Sequence, residues 1–264
     1  MKKLLLALAC ATALSACNDS GDATSSDAVA NDEAILQSLK NQGLSIHSPM
    51  EVPGGLKAYA ASMGTQALAV YIMPDANYAL VGTLIDAKGT SVADAELQRL
   101  VSAPMDQQSW ASLEKSAWVQ DGDANAQRVV YVFTDANCPF CHELWRSARP
   151  WVEAGKVQLR HVMVGVIRED SPAKAAAILE SADPQAALTQ NEMNHAAGGI
   201  EPAASISAET SAKLTANVEL MRRLGFGGTP GLVAQNSDGK LTYKSGVPRG
   251  DDLSSLFGSL QAQE

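Results

Sequence analysis

Cysteine is scarce in this chain, with four among 264 residues. That is too few for a small scaffold held together by disulfides instead of a core. Basic residues are also in deficit, 20 Lys and Arg against 29 Asp and Glu, for a formal net charge of −9 and a pI near 4.9. A nucleic-acid binder depends on a basic stripe, so that class is excluded. After the N-terminus no apolar run reaches the about eighteen residues that read as a membrane-spanning helix, which rules out a multi-pass membrane protein. What is present is 46% apolar and 19% charged residues, ordinary for a protein with a hydrophobic core. The length suits one large domain or two ordinary ones.

The N-terminus reads as an export signal. Met1-Lys2-Lys3 supplies a positive start, Leu4 to Leu14 a short apolar segment, and Leu14-Ser15-Ala16-Cys17 small residues before a cysteine. The segment is too short for a stable spanning helix. Its Leu-Ser-Ala-Cys ending resembles a bacterial lipobox, in which Cys17 is lipidated and becomes the new N-terminus; cleavage after Ala16 without lipidation is the alternative. Loss of residues 1–16 removes two lysines and no acid, taking the charge from −9 to −11, and removes Cys10. With Cys17 lipidated, the mature chain keeps Cys138 and Cys141 as its thiols. In an oxidising compartment structural disulfides usually bridge distant parts of a fold. This pair, two residues apart, closes almost no loop and constrains the unfolded chain little.

Residues 17–34 are rich in Ser, Ala, Asp and Gly and show no apolar periodicity, which predicts a flexible tether. Asp32 to Gln42 has a short amphipathic pattern with Ile35, Leu36 and Leu39 on one face, stopped by Gly43. Four strand-like runs follow, Leu44–His47, Gly55–Ala61, Ala67–Met73 and Tyr78–Ile85, separated by Pro and Gly. One helix on a four-stranded antiparallel sheet over residues 35–90 is a small α+β domain, and at that size pairing with a second copy is expected. Residues 91–120 read as a linker helix interrupted near Pro104, with Trp110, Leu113 and Trp118 as packing anchors. Asp121-Gly122-Asp123 marks the boundary before a second domain over 127–262.

Arg128-Val-Val-Tyr-Val-Phe133 has the continuous apolar character of a buried central strand. It runs through Thr134–Asn137 into Cys138-Pro139-Phe140-Cys141 and then a helical pattern from Glu143. A strand, a short turn and Cys-x-x-Cys opening a helix is the context of a thioredoxin-like redox motif. At a helix start, free N–H groups and the positive end of the helix dipole favour a thiolate on Cys138. Pro139 at the first helical position loses no needed donor. Cys141, one turn on, is the expected resolving thiol, less exposed than Cys138. The other readings of the pair are a structural disulfide, disfavoured by its loop, and a zinc site, disfavoured because His142 and His161 do not complete a ligand set with finger spacing. Neither a metal nor a cofactor is expected.

Phe226-Gly-Gly-Thr229-Pro230-Gly231 precedes an apolar strand-like run about ninety residues after the motif. In thioredoxin folds such a Thr-Pro carries a cis peptide facing the cysteines and leaves a strand edge to which an extended substrate can add. Between the two landmarks, Val157–Val166 reads as a strand, and Pro172–Ala182, Asp183–His195 and Asn217–Leu224 as helices of an insertion.

These segments together resemble the DsbC/DsbG family of periplasmic disulfide isomerases. The resemblance rests on Val130-Tyr-Val-Phe-Thr-Asp135, Cys138-Pro-Phe-Cys141, Ala148-Arg-Pro-Trp-Val152, Gly155-Lys-Val-Gln-Leu-Arg160, Val164-Gly-Val-Ile167 and Ser171-Pro-Ala with Ala175-Ala-Ala-Ile-Leu179. It implies a V-shaped homodimer built from a cystatin-like N-terminal dimerisation domain, linker helices, and thioredoxin-like domains with a helical insertion. It makes Cys138 and Cys141 the redox pair and places Thr229, Pro230, Pro139 and Phe140 at the substrate. It also implies exported protein clients carrying disulfides or oxidised cysteines, and a membrane thiol reductase of the DsbD type as electron donor. The Pro-Phe dipeptide and the lipobox-like Cys17 depart from the family's usual pattern. Two rivals remain: a thiol-independent holdase chaperone and a monomeric disulfide oxidase.

Overall fold

The computed structural model describes residues 23–74 and 77–260. The expected export signal over 1–16, Cys17 and the first part of the expected tether lie outside the described residues.

The first helix, α1 (Ala23–Asn41), begins well before Asp32, so residues 23–34, expected as tether, are helical. Ile35, Leu36 and Leu39 form its apolar face and pack against Leu44, Ala61, Val70 and Ile72. Those residues belong to an antiparallel meander of β1 (Ser45–Met50), β2 (Lys57–Met63), β3 (Gln66–Ile72) and β4 (Ala79–Gly82), in the order β1-β2-β3-β4. Met63 pairs with Gln66 across a turn in which Gly64 takes a φ of 58°, a conformation favouring glycine. Pro49, which has no N–H to give a ladder, lies in the edge strand β1.

The segment after Ser91 is one helical rod instead of two pieces broken at Pro104. It comprises α2 (Asp94–Leu97), a π-turn over Gln98–Ser102 and α3 (Ala103–Glu114). The Ala103 N–H bonds to Gln98 O, five residues back, and Pro104 follows this wide turn near the start of α3. The rod ends at Glu114. Trp118–Asp121, expected as the end of the linker helix, is strand β5. It pairs antiparallel with β7 (Val157–Val164), so the second sheet starts before the Asp121-Gly122-Asp123 boundary.

The second sheet has the order β5-β7-β6-β8-β9, with β6 (Arg128–Asp135) at its centre, β8 (Gly231–Gln235) and β9 (Leu241–Ser245). β6 runs parallel to β7 and antiparallel to β8. Its side chains alternate between two cores, as a strand buried on both faces requires. Tyr131 and Phe133 face Leu113 of α3, Leu220 and Met221 of α7 (Ala208–Arg223), and Leu224, which caps that helix. Val130 and Val132 face Leu144 and Ala148 of α4 (Pro139–Glu153) and Leu256 and Phe257 of α8 (Asp251–Phe257). Trp110 and Trp118 meet the Tyr131 ring edge-on at 5.0 and 6.5 Å between centroids, the anchor role expected of them. The insertion contributes α5 (Ser171–Leu179) and α6 (Pro184–Met193), whose Ala175, Ile178, Ala187 and Leu188 pack with Met163 and Val119. Small alanines allow this close approach.

Candidate active site

Buried β6 delivers the chain to the head of α4. Asp135, the last residue of β6, holds the turn that follows. One carboxylate oxygen accepts from the Asn137 N–H (2.9 Å) and the Ser171 hydroxyl (2.8 Å). The other accepts from the Val166 and Ile167 N–H groups at 2.7 and 3.0 Å. Asn137 donates to Asp170 and Ser171 at 2.9 Å each and accepts from the buried Lys174 ammonium, also at 2.9 Å. Lys174 is further fixed by Gly198 O at 2.5 Å. Asn191 of α6 donates to Ala136 O at 3.1 Å. The three residues before Cys138 are therefore clamped by the insertion. The sequence places Asp135 and Ser171 in segments of the family resemblance without a role, and gives no signal for Lys174, Asn191 or Glu192, whose partners lie tens of residues away.

Cys138 is the N-cap of α4, in extended conformation, and its sulfur accepts from the Cys141 N–H at 3.3 Å. The thiol donates to Thr229 O at 3.4 Å. The Thr229–Pro230 peptide is cis, as expected. Gly231, the first residue of β8, lies against the Phe226 ring; a Cβ there would meet ring carbons at 2.7 Å, so only glycine lets the loop fold back this closely. Thr229 is thereby brought beside both cysteines, while Pro139 and Phe140 stand exposed at the start of α4.

The two sulfurs differ in charge preference. The Cys141 side chain, the Thr229 side chain and the N–H groups of Cys141 and Phe140 outweigh burial and lower the Cys138 thiol to about 6. Burial, reinforced by the nearby Cys138, raises Cys141 well above the ordinary thiol value. Exposure does not separate them: both residues are 2% exposed. The expectation that Cys141 is the less exposed of the two is therefore not met; Thr229 O lies 3.4 Å from the Cys138 sulfur. Beneath the site, burial of Asp121 is outweighed by His161 and Arg149, which hold its carboxyl at about 2. His161 is buried between the Thr134 hydroxyl (2.7 Å) and Asp121 (3.4 Å). Among the described residues no group of three or more His, Cys, Asp and Glu is arranged to hold a metal ion.

A thioredoxin-like domain family matches residues 120–260. The thiol:disulfide interchange protein DsbG of Pseudomonas aeruginosa is 44% identical over 225 residues, covering 85% of this chain and 88% of the relative. The chain belongs to the DsbG family. The DsbG of Escherichia coli K12 is 34% identical over 226 residues, covering 86% of this chain and 91% of its own. Among solved structures, the catalytic domain of Proteus mirabilis ScsC is similar at 23% identity and a TM-score of 0.48, covering 57% of this chain and 96% of that one. As a DsbG-family member with a thioredoxin-like domain, the chain is a thiol:disulfide oxidoreductase.

Proposed function

We propose that this protein works from the dithiol state in the periplasm, reducing and rearranging disulfides of exported clients through Cys138 and Cys141. The observation that carries this reading is the opposed charge preference of two adjacent sulfurs. A Cys138 thiolate attacks a client disulfide; the Cys138–client bond forms and the other client sulfur leaves as thiolate. The mixed disulfide is then displaced by a second client thiol, which completes an isomerisation, or by Cys141, which leaves the client reduced and the pair oxidised. The same thiolate would attack a sulfenylated cysteine, the Cys138–client disulfide forming as hydroxide leaves and takes a proton from solvent to become water, and Cys141 would again resolve the mixed disulfide.

Extended client segments would lie along the Thr229–Pro230 edge, with Phe140 and Pro139 as apolar lip. The strand β4 supports a homodimer through residues 35–90. Among the described residues it pairs with β3 alone, and it exposes Tyr78, Leu80, Val81 and Ile85 around it, an edge that an isolated soluble domain would normally protect. A membrane thiol reductase of the DsbD type would return the pair to the dithiol. Met1–Ala16 would direct export, with or without lipidation at Cys17. Alkylation of thiols in intact cells tests the working state. A mostly reduced Cys138–Cys141 pair is expected, and a mostly oxidised one would favour the disulfide oxidase.

A further inference from the structure

Glu192 is the least expected group near the cysteines. It lies on α6, in the insertion, and its side chain is 1% exposed. One carboxyl oxygen accepts from Asn191 Nδ2 at 3.3 Å, and the same Asn191 amide donates to Ala136 O in the turn before Cys138. The other oxygen lies 3.0 Å from Nδ1 of His142. His142 follows Cys141 directly, and its own N–H donates to Cys138 O at 3.2 Å. On its far side the His142 ring stacks on His195, 4.5 Å between centroids and 5° from parallel. Glu192 thus bridges the turn before Cys138 and the first turn of α4.

We propose that Glu192, joined to the redox site through His142 and Asn191, takes up the second proton of the donor dithiol, the one that the Cys138 thiolate does not keep, when the cysteine pair is reduced. This rests on the reading of Cys138 and Cys141 as the redox pair. A dithiol donor supplies two electrons and two protons and leaves as a disulfide. The electrons break the Cys138–Cys141 bond. One proton goes to Cys141, which stays a thiol. Cys138 stays a thiolate, and its negative charge draws the second proton onto the Glu192 carboxylate. Reoxidation by a client disulfide releases both protons to the client's thiols.

The surroundings favour this coupling. Burial raises the Glu192 carboxyl to about 7, and a charged Cys138 and Asp121 push the same way against the attraction of His161. Burial lowers His142, helped by Arg146 further along α4. His195 is lowered by burial and by His142, Arg168 and Lys174. A carboxyl raised and an imidazole lowered make a neutral pair: Glu192 Oε2–H donates to Nδ1 of an uncharged His142. The Asp121 carboxylate is already paired with Arg149 and contacts His161, so it remains ionised at neutral pH. Of Glu192, Asp121, His142 and His195, Glu192 is the one shifted by the charge of Cys138.

Carbon-13 NMR of side-chain carboxyls, with the Glu192 signal assigned through its own backbone amide, tests this in the unaltered protein. Titration from acid to alkaline pH in the dithiol and disulfide states should place the Glu192 midpoint about one pH unit higher in the dithiol, a coupling large enough for the two groups to titrate as a pair. Proton uptake on reduction near neutral pH should fall in the Glu192→Gln chain towards the single proton held by Cys141. Equal Glu192 midpoints in the two states would overturn the inference, whether or not the variant folds. A pair that cycles reversibly with equal midpoints removes this inference alone; a pair that does not cycle removes the underlying redox reading.

Discussion

The backbone N–H of Cys141 points at the sulfur of Cys138, 3.3 Å away, while Cys141's own thiol is raised well above the ordinary thiol value by burial. The same turn of helix therefore favours charge on one cysteine and opposes it on the other. That relationship follows from a cap: Cys138 sits where the first N–H groups of α4 lack intrahelical partners, and its sulfur takes one of them. Cys141 lies inside the first turn, among buried side chains.

The split predicts how the stability of the dithiol form depends on pH. Cys138 is lowered to about 6 from an ordinary value of 9.0. Between those values the unfolded chain binds a proton that the folded chain does not, so folding gains stability as pH rises and loses it as pH falls through about 6. Cys141 is raised, so at pH above 9.0 the folded chain keeps a proton the unfolded chain releases, and stability declines. Urea midpoints of the reduced protein should rise as pH goes from about 6 towards 9 and then fall. The reduced Cys138→Ala chain should lack the rise, which separates it from the opposite effect of Glu192, raised to about 7. An unchanged rise in that variant would refute the assignment of the thiolate.

The clamp on the turn before Cys138 makes a second prediction. Lys174→Met removes the donor that both Asn137 Oδ1 and Gly198 O accept from, leaving two acceptors unpaired in or near the interior. The cost should be about 2–4 kcal/mol by urea denaturation. Alkylation of Cys138 at neutral pH should also slow, because Asn137 no longer holds the preceding turn. Normal stability together with normal alkylation would show that the clamp is incidental.

Leu80, in the middle of β4 and 53% exposed, tests the dimer. A lysine there keeps the monomer's fold but places charge on the open edge, a device natural sheets use against strand addition. Sedimentation equilibrium should give a dimer for the unaltered chain and a monomer for Leu80→Lys. A Leu80→Lys dimer of undiminished affinity would move the interface elsewhere.

Much of this architecture was legible in the chain because local chemistry set it. Ile35, Leu36 and Leu39 at helical spacing, the Pro and Gly between the first four strands, and the apolar run of β6 each marked an element directly. Cys138 to Cys141 announced the site because a strand, a tight turn and a helix start leave the pair one place to go. The failures share a cause in tertiary contacts. β5 was hidden because Trp118 reads equally as the end of an amphipathic helix, and its pairing partner His161–Val162 is over forty residues away. Only the last part of α7 was visible, since its buried face includes Thr210 and Asn217. Asn217 bonds Ala117 O and Met163 O, both at 2.8 Å, tying β5 to β7 from a position that reads as polar surface. Helix α1 extends through a Ser- and Asp-rich stretch whose composition predicts a tether. The clamping role of Asp135 and Ser171, and Glu192 altogether, had no sequence signal, because a buried polar residue resembles an exposed one until its partner is known.

The division of labour between Cys138 and Cys141 is the centre of this account, and trapping of clients measures it most directly. Each variant is expressed for export, and mixed disulfides are read on non-reducing gels after acid quenching of the thiols. Cys141→Ala should attack clients and accumulate mixed disulfides, because the intramolecular exit is gone. Cys138→Ala should trap none, since the remaining thiol is held protonated. Clients trapped on Cys138→Ala and absent from Cys141→Ala would contradict the account, with attacker and resolver exchanged.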